Sequence, residues 1–136
     1  MTEMSAFLDV PLNDSAPAAA RRVVEAILRA WGFTNDGWLK TAKVVVSELV
    51  TTAVRRGAGV GGIHLQTVRG QVIVTAIDRY GQAQGRELND IGGHGVAIVG
   101  AFSSRWGVGD YPSGTRVWVE LVPHPHETED FRGGTR

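Results

Sequence analysis

The chain has 136 residues, 43% of them apolar and 21% charged, with 18 glycines, no cysteine, and 14 basic against 14 acidic side chains. That length fits a single compact domain able to bury roughly two-thirds of its unfolded surface unaided. The absent cysteines exclude disulfides, iron–sulfur clusters, thiolate zinc sites and a cysteine nucleophile, and the zero net charge leaves no field to gather nucleic acid directly.

Phe7 to Leu12 (FLDVPL) alternates apolar and polar residues, which predicts a short strand, placed at a sheet edge because Pro11 cannot donate to a ladder. Ser15 offers an N-cap and Pro17 an early helical position; Ala20, Val23, Val24, Ile27 and Trp31 then recur at helical spacing until Gly32. A second helix is expected from Asn35 or Asp36 to Gly57, its apolar set being Leu39, Ala42, Val45, Val46, Leu49, Val50, Ala53 and Val54. Gly62 to Val68 and Gln71 to Ile77 read as strands joined by a tight turn at Arg69-Gly70. An irregular polar stretch from Asp78 to Gly93 leads into a third helix, about His94 to Ser104, and Thr115 to Leu121 alternates as a half-buried strand.

The four tryptophans, Trp31, Trp38, Trp106 and Trp118, follow the apolar periodicity and are expected in the core. Residues 123–136 show no period and are expected to form a mobile tail, leaving residues 1–122 as one domain. No apolar run approaches the roughly 20 residues that cross a bilayer, and the first residues lack a signal-peptide pattern, so a cytoplasmic location without a membrane partner is expected. This order of elements predicts an α+β sandwich, with a mixed, mostly antiparallel sheet carrying helices on one face.

Few residues stand out for chemistry. GAGVGG (residues 57–62) satisfies G-x-G-x-x-G, but a helix precedes it and a strand follows, the reverse of the dinucleotide context, so it reads as a connector. Gly92-Gly93-His94-Gly95 opens the third expected helix, where backbone N–H groups can approach an anion. Glu48 and Thr52 share a helix face, the carboxylate being a candidate general base, and Asp78 ends a strand where it can accept from a ligand amino group. His124 and His126 with Glu127 and Glu129 read as composition rather than a metal site, and His64 and His94 lack a sequence-near carboxylate or serine.

Four segments in order resemble the GHKL superfamily of ATP-binding, histidine-kinase-like domains, in particular the anti-sigma-factor serine/threonine kinases and their actinobacterial relatives. VVSELVTTAVRRG (Val45–Gly57) is similar to the family helix motif, and AIDRYG (Ala76–Gly81) stands at its first glycine box. ELNDIGGHGVAIVGAFSSRWGV (Glu87–Val108) is similar to the second box, and GTRVWVEL (Gly114–Leu121) to the closing strand. The resemblance implies a Bergerat-type α/β sandwich binding ATP or ADP with Mg²⁺ beneath a lid at Gln82–Gly92. Asp78 would accept from adenine with Thr115 nearby, Gly81 would belong to the first box, and Gly93, His94 and Gly95 would line the phosphates. Glu48 would be the catalytic base toward a substrate serine. The partners implied are a sigma factor and an anti-sigma antagonist, in transcription regulation by partner switching, and such proteins often act as homodimers. Thr52 stands where the family has the Mg²⁺-ligating asparagine, and a threonine hydroxyl reaches about one bond less far. Tyr80 stands where a glycine is expected. The sequence therefore leaves two readings open: a nucleotide-dependent kinase with weakened catalysis, and a non-catalytic protein-binding module of the same fold.

Overall fold

Local chemistry fixes both helix boundaries. The first helix ends in a Schellman turn: Gly32 adopts φ +99°, its N–H donates to Arg29 O (3.0 Å), and the Phe33 N–H donates to Leu28 O (2.9 Å). The accompanying apolar contact is present as well, since Phe33 and Leu28 are both buried in one cluster. At the other end Ser15 does not cap as expected. It is already in the αR conformation, and its hydroxyl and N–H both donate to Asn13 Oδ1 (2.8 and 3.0 Å). The second helix is capped by Asn35, whose Oδ1 accepts from the Trp38 N–H at 2.8 Å.

The computed structural model describes residues 3–11, 13–55, 60–78, 99–111 and 114–125. Their elements run β1 (Ser5–Pro11), α1 (Ala16–Ala30), α2 (Asp36–Arg55), β2 (Val60–Val68), β3 (Gln71–Asp78), β4 (Ser103–Tyr111) and β5 (Gly114–Leu121). The five strands form an open sheet in the order β1-β2-β3-β5-β4, antiparallel throughout. Arg69 and Gly70, at φ 55° and 81°, make the β2–β3 hairpin, the double positive φ that the right-handed strand twist favours.

Strand parity divides the sheet into two faces. Ile63, Leu65, Val72, Val74, Val117, Val119 and Leu121 are buried beneath the helices, where Val24 and Leu28 of α1 and Leu39, Ala42, Val45, Val46, Leu49 and Val50 of α2 meet them. The opposite parity, free of helices among the described residues, carries the row Phe7, His64, Thr75, Trp118 and Gly107. Trp118 thus departs from its expected core position, because its neighbours Val117 and Val119 take the core parity. Its indole lies over Gly107, where a Cβ would stand 2.7 Å from the ring nitrogen. Glu120, on the same face and only 9% exposed, is matched by Arg105, whose Nε donates to its Oε1 at 2.7 Å.

The expectation for the third helix needs correction. The third helix does not reach Ser104: a helical turn covers residues 99–101, and Ser103 already begins β4, a strand absent from the sequence reading. Its glycines at 107 and 109 weakened the strand signal, while pairing with β5 aligns Trp106 and Val108 with the core residues Val119 and Val117. The described residues after β5 pack against the helix hairpin. His124 Nε2 accepts from the Asn35 N–H (3.1 Å), and its ring meets Phe33 and Trp38 edge-on at 5.2 and 5.0 Å. Trp38 Nε1 in turn donates to Val122 O at 2.7 Å, tying the chain after β5 to the helix hairpin.

Two substitutions test this packing by urea denaturation. Leu28→Ala, at a fully buried position, is expected to cost about 3 kcal/mol. Gly107→Ala displaces the Trp118 ring and is expected to cost about 2 kcal/mol; the same substitution made in a Trp118→Ala background should cost almost nothing, which is the matching control.

Candidate functional site

The α2 stripe that seals the core turns Glu48 and Thr52 toward the flank of the helix, four residues apart on one face. Thr52 is 7% exposed. Glu48 is half-buried, and its Oε1 is shielded from solvent with no hydrogen-bond partner. An unsatisfied carboxylate oxygen out of water costs free energy that a folded chain ordinarily avoids, which singles out Glu48 among the described polar side chains.

The sheet brings other expected residues together. Successive antiparallel registers align Gly61, Asp78, Thr115 and Asp110 in one row across β2, β3, β5 and β4. Asp78 and Thr115, separated by 37 positions in sequence, are direct cross-strand partners. The row shares the register parity of Val74 and Val119. The chain passes from Arg55 to Val60 in five steps, a reach of at most roughly 18 Å, which holds the last turn of α2 at this same sheet end. Glu48 and Thr52 thus lie on α2, Asp78 ends β3 and Thr115 stands near the start of β5. Asp110 joins the row unforeseen, because recognising it required β4. Gly81, Gly93, His94 and Gly95, with Tyr80 and the expected lid Gln82–Gly92, lie outside the described residues.

The outer seam between α1 and α2 is polar and regular. Arg29, Glu25 and Arg21, spaced by four on α1, meet Asp36, Lys43 and Ser47 on the antiparallel α2 at 2.8, 2.7 and 2.8 Å. Arg29 Nε also donates to Glu25 Oε2 at 2.9 Å. Hydrogen bonds from Lys43 and then Arg29 hold the Glu25 carboxyl below its ordinary range, and those to Asp36 and Glu25 push the Arg29 guanidinium further up. At the Arg21–Ser47 end a groove of about 350 Å³ opens, lined by Arg21, Lys40, Lys43, Val44, Ser47 and Glu48. Sequence reading missed it. The four-residue spacing on α1 was visible, but the partner helix face was not.

Elsewhere, Ser5 Oγ lies 2.8 Å from His64 Nε2 on the helix-free sheet face, an exposed pair that sequence distance concealed. Among the described residues no group of three or more His, Asp or Glu side chains is placed to hold a metal, and no helix is long and apolar enough to cross a membrane. The single unpartnered oxygen of Glu48 and the buried Thr52 are compatible with a hard, oxygen-seeking cation, though they supply only part of its usual ligand set.

No family model and no curated protein matches the chain. Among solved structures, a chain of the SiaB–SiaC complex from Pseudomonas aeruginosa is similar in fold, with a TM-score of 0.53 and 14% identity over 85% of this chain and 89% of that one. At that identity the likeness establishes the shared architecture.

Glu48→Met is expected to hold or raise stability, by about 1 kcal/mol, since it removes an uncompensated carboxylate; a clear loss in a thermal melt contradicts that view of the group. The Glu25 contacts carry a pH signature. Their contribution is present above the ordinary carboxylate pKa and disappears as pH falls through the lowered folded value, so the stability gap between the wild type and Glu25→Gln should be open at pH 7 and close on acidification.

Proposed function

We propose that this chain is a nucleotide-binding regulatory protein that works by switching between protein partners, with an ATP or ADP site at the end of the sheet beneath α2. The observation that carries the reading is the solvent-shielded, unpartnered Glu48 oxygen beside buried Thr52, at the sheet end where Asp78 and Thr115 are paired. The sequence resemblance to GHKL domains of the anti-sigma-factor kinase type assigns roles to those same four positions. Asp78 accepts from the adenine amino group, Thr115 contacts the base, and Glu48 takes the proton from a substrate serine hydroxyl. Gly81, Gly93, His94 and Gly95 complete the site by the same resemblance. Thr52 would be the side chain nearest a Mg²⁺ ion, whose chemistry is to neutralise phosphate charge.

That the similar solved chain comes from a complex of two proteins supports a protein-binding role. In the finer reading, the partners are a sigma factor and its anti-sigma antagonist, and the chain acts in the cytoplasm, where a homodimer is one form it can take. Catalysis is weakened, because the threonine hydroxyl stands on Cβ and falls about one bond short of the asparagine amide oxygen, and phosphoryl transfer depends on neutralising the charge that the ion offsets. A second reading, a partner-binding module without nucleotide, is favoured by that same substitution together with Tyr80 in the first glycine box.

Calorimetric titration with ATP and ADP, with and without Mg²⁺, separates the two. Micromolar, Mg²⁺-dependent binding that Asp78→Asn abolishes is the expected result, and silence at millimolar nucleotide leaves only the second reading. Thr52→Asn should tighten the Mg²⁺-dependent part about tenfold, the gain of roughly one charge-assisted contact.

A further inference from the structure

A second groove lies on the flank of α1 that faces β1, away from the seam with α2. It measures about 140 Å³, and its walls are mainly apolar: Leu8, Val10, Ala16, Ala19, Ala20 and Val23. A cavity of about 150 Å³ with walls of that kind takes up a benzene ring. Val23 is 43% exposed, one of two large apolar side chains left so open among the described residues. Asp9 is the single charged residue of the lining. Beside the groove, Arg22 is exposed and has no partner among the described residues, and Ala26, Arg29 and Ala30 continue an exposed face to the end of α1. The chain that follows β5 is tied to that same helix end. His124 accepts from the Asn35 N–H and packs on Phe33 and Trp38, and Trp38 holds Val122 O, so Pro125 leaves the fold beside the turn between α1 and α2. The sequence after it is HETEDFRGGTR, in which Glu127, Glu129 and Asp130 precede Phe131 and Arg132.

We propose that residues 126–132 fold back along α1 as a strap, with Phe131 seated in the β1–α1 groove, Glu127 paired with Arg29 and Asp130 with Arg22. The spacings agree. Arg22 and Arg29 are seven residues apart on one helix face, about 10 Å along the axis, and the three steps from Glu127 to Asp130 span about 10 Å when extended. Phe131 is six residues beyond Pro125, a reach of at most roughly 20 Å, and Val23 lies about 10 Å along the axis from Ala30. The charges agree as well, since acidic residues meet the arginines of α1 and the basic Arg132 follows Phe131 to a groove whose one charge is Asp9. Arg29 spends its Nε on Glu25 and one terminal nitrogen on Asp36, which leaves further donors of the guanidinium for Glu127. Tethering beside the helix end gives the strap a high effective concentration over any free segment of similar chemistry. The flank of α1 is then open to another protein only when the strap lifts away. Nothing in this inference depends on the nucleotide reading.

The chain has no cysteine, so a thiol pair introduced by Ala26→Cys and Thr128→Cys reports on the strap alone. Thr128 lies between Glu127 and Asp130 as Ala26 lies between Arg22 and Arg29, and neither makes one of the proposed contacts. Mild oxidation of the dilute full-length protein, without nucleotide, should close the pair within one chain, as read by mass spectrometry after proteolysis. Adding Phe131→Ser leaves the tether and both thiols unchanged and should slow closure at least tenfold, through loss of the buried ring. Asp130→Lys should slow it about threefold, and Arg22→Glu made in that background should restore it. Equal closure rates with and without Phe131→Ser, no recovery in the charge-swapped variant, no closure at all, or disulfide-linked dimers in place of closed monomers overturns the proposal. Because no nucleotide is present, failure of the ATP titration leaves this result standing.

Discussion

Everything in this structure depends on how α2 lies on the sheet. Its inward stripe, from Leu39 to Val50, is closed against strand residues that are themselves almost wholly buried. At close-packed density such a contact permits no rotation of the helix about its own axis without opening voids or forcing clashes. The direction in which Glu48 and Thr52 project is therefore set by the stripe beside them, Leu49 next to Glu48 and Val50 two positions before Thr52, and the apolar packing acts as the positioning device for these polar residues. The same constraint explains how an unpartnered carboxylate oxygen persists: the burial around it stabilises the helix by more than the orphaned group costs.

Much of this was legible in the sequence. The apolar periods of α1 and α2, the Asn35 and Gly32 boundaries, the Arg69-Gly70 turn and the alternation in β2, β3 and β5 are local signals, and each corresponds to an element. What escaped was non-local. Strand β4 carries two glycines, two serines and two charged residues among its nine positions, and only its partner β5 makes that pattern a strand. His124 follows a proline in a polar stretch, and its place against Trp38 and Phe33 depends on residues about 90 positions earlier. Asp78 and Thr115 were each suspected, yet their adjacency is a property of sheet register, which no single stretch of sequence encodes.

The polar side of the helix hairpin follows a different logic from its core. Arg29–Asp36 is well exposed and contributes little to stability. Its neighbours Lys43–Glu25 and Arg21–Ser47 matter more for where they hold charge than for the energy they add. A seam of this kind lets one pair of helices serve two purposes: an apolar inner face closed against the sheet and a charged outer face.

On the far side of the sheet, Gly107 and the indole of Trp118 occupy the same space in complementary ways. Neither position can drift alone: a side chain gained at 107 demands that the ring at 118 shrink or turn away, and a smaller residue at 118 leaves the glycine without its reason. The Phe7 ring stands in the same relation to Gly62, where an added Cβ would come within 2.5 Å of it. This face of the sheet is thus inherited in coupled pairs, and a lineage that reshapes it must change both members of a pair together.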